Sequence, residues 1–438
     1  MRVGTVGIAG ALLLTCGALA AAEIITVGRV QQRYPWNGLV DIDYAISGVE
    51  GDPNDYQVEF TVTADGRSFV VSNFYNAAWC DHTTANGTNR ATWIARMDGV
   101  TKLTAVGVAA RLVYAPCTDA DATFAIIDLS SGSSSGHYPV RYVAVATNRA
   151  AAFNIPIYKT RKLVLKKVPA GEFWMGVGDV SEGTARHRVC LTRDYWLGLF
   201  EVTRGQYWSV LPRNTGQVAT ALYQFMPFIA DDYDTVPISY VSQNNILDAD
   251  GFIARLNART RCRGQSVGLF SLPTEAQWER AARAGTETRY FSGSETNDLP
   301  AYASMSFTYQ WSSGAGKWVP AESPDAQTPI EQFPFHVYAA GSFLPNPWGF
   351  YDIYGNVAEW CSDFYGSYPA YSETDVTEDP TGPSSAAEVL SRGGCFWEGD
   401  GCCSSGGRVS GLQTGAEHSG YGNRYGSRFG FRLAGALK

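Results

Sequence analysis

Two stretches of this chain hold residue types that can do chemistry. In the first, NPWGFYDIYGNVAEW at 346–360, Asp352 and Glu359 bracket Gly355 and Asn356, a pair that readily takes a tight turn. Such a loop can turn backbone carbonyls and both acids toward one point, and oxygen donors of that kind hold a hard cation such as calcium. The other assignment is structural: Asp352 caps a turn and Glu359 pairs with Arg392 or Arg432. In the second stretch, Cys395, Cys402 and Cys403 crowd one loop. They form either a thiolate site or disulfide partners, and adjacent Cys402 and Cys403 could bond each other only with strain. The histidines at 82, 137, 187, 336 and 418 lie far apart and form no His-x-x-x-His pair. There is no Ser/His/Asp text of hydrolase type, no phosphate loop and no basic patch.

The elements that position these loops follow from composition and punctuation. A chain of 438 residues is comfortable for two domains. With a net charge of −8, nothing in the charge balance suggests a nucleic-acid partner. With 46 Gly, 12 Trp and 24 Tyr, the composition suits a loop-rich fold with aromatic clusters. Residues 1–22 read as a signal peptide: Arg2, an apolar run from Val6 to Leu14, then small residues suited to cleavage. A lipoprotein box ending at Cys16 is the alternative, with Thr15 a poor residue for it. Nothing else is apolar enough for a membrane span, so the expectation is an exported protein, periplasmic, cell-surface or secreted. Without Cys16, eight cysteines remain. An even number in an exported chain argues for disulfides, with Cys80 and Cys117 a natural pair.

From 23 to 157 the reading is all-β. Short runs at 27–30, 40–46, 56–64, 68–71, 101–114, 122–129 and 140–146 are rich in β-branched and aromatic residues and are separated by turn signals. Seven strands at this spacing predict a β-sandwich. From 158 to 438 the text changes. Thr203 is placed to cap a helix stopped by Pro212. Ser242 caps a helical segment through Ile246, Ala249, Ile253 and Leu256. Thr274 and Gln277 form a capping box for a helix ended by Gly285.

This second region resembles the formylglycine-generating enzyme family, also called sulfatase-modifying factors. The resemblance rests on ordered blocks: PAGEFWMG at 169–176, EVTRGQY at 201–207, VPISYVS at 236–242, LPTEAQWERAARAG at 272–285, the 346–360 stretch, SRGG at 391–394 and GFRL at 430–433. It implies the irregular α+β fold shared with C-type lectins, so the expected architecture is a β-sandwich followed by that fold. It implies a structural calcium site made by the side chains of Asp352 and Glu359 and the carbonyls of Gly355 and Val357. A second family calcium site would fall near 302–304, where Ser304 replaces the expected Asn.

The resemblance also bears on catalysis. Members that oxidise a sulfatase cysteine to formylglycine hold copper(I) between two cysteines, in a loop of the form G-G-S-x-x-C-x-x-x-x-C. Here that loop reads GGCFWEGDGCC over 393–403. Glu398 stands at the first copper position, Cys403 at the second, and Cys395 at the serine. Ala358 replaces the usual Trp of G-N-V-W-E-W. These departures favour a calcium-stabilised scaffold that binds a protein or glycan. The alternative is an oxygen- and copper(I)-dependent oxidase acting on a sulfatase polypeptide, with Cys403 and Cys395 or Cys402 as ligands.

Overall fold

The structure is a computed structural model. It describes residues 24–34, 37–50, 53, 56–64, 66–101, 106–114, 121–144, 150–177, 185–212, 233–262, 265–267, 270–296, 298–305, 309–312, 317–320, 337–368, 374–396, 398–412 and 429–436. Residues 1–23, where the signal peptide is expected, Cys117, His336 and His418 lie outside the described residues. The chain divides into two units, residues 1–121 with 143–157, and residues 122–142 with 158–438.

The first unit is a sandwich of two three-stranded antiparallel sheets. One has the order β1 (Ile24–Gln32), β2 (Leu39–Ser47), β5 (Gly87–Ile94). The other has the order β4 (Arg67–Val70), β3 (Tyr56–Ala64), β6 (Val106–Tyr114). Period-two alternation drives this packing. Val40, Ile42, Tyr44 and Ile46 of β2 and Val58, Phe60 and Val62 of β3 are buried, while Asp41 and Asp43 between them face outward. Tyr44 and Phe60 meet edge to face at 5.3 Å and lock the sheets together.

Two expectations need correction. The strand at 87–94 was absent from the sequence reading, although Asn86-Gly87 introduces it and Ala91 and Trp93 point into the core. Conversely, the runs at 122–129 and 140–146, expected within 23–157, do not belong to the sandwich. They form strands Phe124–Asp128 and Tyr138–Val143 in the second unit's sheet. The reason is visible in FAII at 124–127, four consecutive buried residues. A run without alternation suits a strand covered on both faces rather than a sandwich strand with one wet face.

That sheet has eight strands, in the order 265–266, 260–262, 138–143, 124–128, 162–168, 195–198, 434–436, 270–271. A second sheet of four strands runs 408–412, 388–392, 358–364, 429–430. Thr203 caps helix Arg204–Val210 as expected, through a capping box with Gln206, and helix Glu275–Arg283 carries the expected Thr274–Gln277 box. Ala284 and Gly285 end the latter in the left-handed region. Ser242 caps a helix too, but only over Gln243–Leu247, and a separate helix Phe252–Arg259 follows. The first helix ends where Asp248 turns extended, ψ 161°, and Gly251 lets the chain pass close to that end. A Cβ there would come within 2.9 Å of the carbonyl oxygens of Asn245 and Ile246.

Candidate functional site

The 346–360 stretch lies where helix Glu275–Arg283, the four-stranded sheet and the cysteine loop meet. Asn346 pins its start. Its Oδ1 accepts the N–H groups of Trp348 at 3.1 Å and Phe350 at 3.0 Å, and its Nδ2 donates to the Ala281 carbonyl at 2.8 Å. The backbone then turns through positive φ at Gly349, Asp352, Gly355 and Asn356. Gly355 is required, because a Cβ would collide with the Ser304 carbonyl oxygen across the parallel pair 303–304 and 354–355.

Both acids of the stretch are buried and held by protein donors. Glu359 receives the Trp278 indole N–H at 2.7 Å on one oxygen, and the Arg432 guanidinium at 2.7 to 3.1 Å on both. Arg432 also donates to the carbonyls of Gly198 at 3.0 Å and Tyr351 at 2.8 Å. Asp352 accepts the backbone N–H groups of Gly341 and Phe343. A third acid, Glu201, joins them. It accepts the Asn356 side-chain amide at 2.7 Å and the Val357 N–H at 3.1 Å. Burial pushes the Asp352 carboxyl up to about 6. Burial, with Asp352 and Glu359 nearby, pushes Glu201 well up.

The four expected calcium positions therefore fall as follows. Asp352 and Glu359 are spent on backbone amides and on Arg432 and Trp278. Gly355 donates its N–H to the Gly393 carbonyl at 2.8 Å. The Val357 side chain packs with Val236, Val337 and Phe396. As arranged, Glu359 offers no oxygen to calcium, because both are already filled by a guanidinium and an indole. The structural assignment of the same residues, a capped turn and an Arg432 pair, is the one the hydrogen bonds display.

The stretch connects directly to the cysteine loop. Besides the bond from Gly355 to Gly393, the Phe396 N–H donates to the Asn356 carbonyl at 3.1 Å. Within the loop Cys395 and Cys403 are fully buried and Cys402 is half-buried. The Cys403 thiol donates to the carbonyls of Cys395 and Glu398, each at 3.7 Å. Gly394, at φ 67°, leaves it room, since a Cβ there would stand 2.7 Å from the sulfur. Burial pushes the Cys403 thiol well above its ordinary range, and Glu398, Cys395, Cys402 and Asp400 add to this. Among the described residues no disulfide joins any two cysteines. Copper(I) is held by thiolates, so it would have to displace the proton of the Cys403 thiol. Ala358 is fully buried in strand Ala358–Phe364.

A second buried ion-pair network, absent from the sequence reading, holds this region to the helix. Glu279 pairs with Arg283 at 2.7 Å and with Arg392. Glu275 pairs with Arg408 at 2.7 Å and accepts the Tyr368 hydroxyl at 2.7 Å. Acids at helical spacing ordinarily read as a solvated face. For Glu201, the third acid of the first cluster, the sequence held a signal: a lone acid in the apolar text LFEV at 199–202.

Fold and site together define an all-β sandwich joined to an irregular α+β unit organised around buried arginine–carboxylate pairs. Residues 158–437 match the sulfatase-modifying factor enzyme 1-like domain, and the chain belongs to that family. It is 33% identical over 137 residues to the formylglycine-generating enzyme of Streptomyces coelicolor, covering 30% of this chain and 38% of that one. It is 34% identical over 127 residues to the serine/threonine-protein kinase pkn1 of Chlamydia caviae, covering 28% of this chain and 16% of the kinase. The matched segments thus span well under half of these relatives. Among solved structures, Treponema denticola variable protein 1 is 22% identical, with a TM-score of 0.45 over 63% of this chain and 95% of that one. No helix among the described residues is long and apolar enough to cross a membrane.

Proposed function

We propose that this chain is an exported, divergent member of its family, in which the second unit acts as a protein- or glycan-binding scaffold rather than an oxidase. The observation that carries this reading is the cysteine loop. Glu398 occupies the first copper position of the family pattern, and the Cys403 thiol is buried and donates to the carbonyls of Cys395 and Glu398. Export rests on the N-terminal text at 1–22, and N-terminal sequencing of the mature protein tests it.

A second reading is the oxygen-dependent oxidase that converts a sulfatase cysteine to formylglycine. It is favoured by the gathering of three thiols on one loop, with Cys395 and Cys402 close enough to Cys403 to act on its ionisation. A copper(I) titration of the mature protein separates the two. It is followed by incubation with oxygen and a peptide bearing Cys-x-Pro-x-Arg, with mass spectrometry for the aldehyde. The scaffold reading expects no binding and no conversion. Binding and conversion, both abolished by Cys403→Ser, would establish the oxidase.

A further inference from the structure

We draw no further inference here: the strongest candidate, the buried side-chain cluster at the start of helix Glu275–Arg283, where Asp363 accepts the Glu275 N–H while the Glu275 carboxylate holds Tyr368 and Arg408, would make a pH-operated latch for residues 362–368 only on the strength of the raised Asp363 pKa.

Discussion

Burying Glu359 beside Glu201 and Asp352 would strand three carboxylates away from water were it not for Arg432. Burial works against the guanidinium, yet Glu359 outweighs it and holds the Arg432 charge more firmly than usual. Arg432→Met leaves Glu359 buried with only Trp278, and should cost about 3–5 kcal/mol in urea unfolding. Since Arg432 supplies the positive charge, a calcium chelator should leave the melting temperature unchanged. A drop reversed by added calcium would instead show that the ion is bound. Asp363 gives a pH prediction of opposite sign to the usual carboxylate. Burial pushes it from 3.8 up to about 7, although it accepts the Glu275 N–H at 2.9 Å. Between those values the folded state holds a proton that the unfolded state has released, so stability falls as pH rises through this window. The slope is at most about 1.4 kcal/mol per pH unit for one group. Asp363→Asn should flatten that part of the pH–stability curve.

Short elements in this fold depend on their ends. Helix Glu275–Arg283 is nine residues long and is fixed by a reciprocal Thr274–Gln277 box, so Thr274→Ala should cost about 1 kcal/mol of unfolding free energy. The two-residue parallel pair at 303–304 and 354–355 depends on Gly355 instead. A methyl group there meets the Ser304 carbonyl in a backbone conformation, φ 71°, that alanine resists. Gly355→Ala should therefore destabilise by about 2 kcal/mol or more, and should also disturb the cysteine loop, because the Gly355 N–H holds the Gly393 carbonyl. Faster labelling of Cys402 and Cys403 by a thiol reagent in that variant would report the second effect.

Unit boundaries follow strand pairing rather than sequence order. Strand Phe124–Asp128 sits between 138–143 and 162–168 in the eight-stranded sheet. A chain beginning at residue 158 would lack both earlier strands and leave the edge of 162–168 unpaired, with Leu163, Val164 and Leu165 losing their cover. Such a chain should be insoluble or unfold without a cooperative transition. A chain beginning at residue 122 should keep the cooperative transition, as read by circular dichroism on heating.

Local text settled the local features. The three helix caps were legible at Thr203, Ser242 and Thr274, and the Thr274–Gln277 box as well, because a cap and its partner lie within one turn; the partners Gln206 and Asn245 came from the structure. The order of the family blocks likewise determined the fold of the second region. The sequence also named the acids and thiols, Asp352, Glu359, Cys395, Cys402 and Cys403, but not their partners. Whether Glu359 faces a cation or Arg432 depends on two residues 73 positions apart in the chain. The buried pairing of Glu279 with Arg392, 113 positions away, is equally invisible locally. The strands at 124–128 and 138–143 show the same limit. Their apolar runs announce strands, but which sheet they join is decided by long-range backbone pairing and by which faces end up covered.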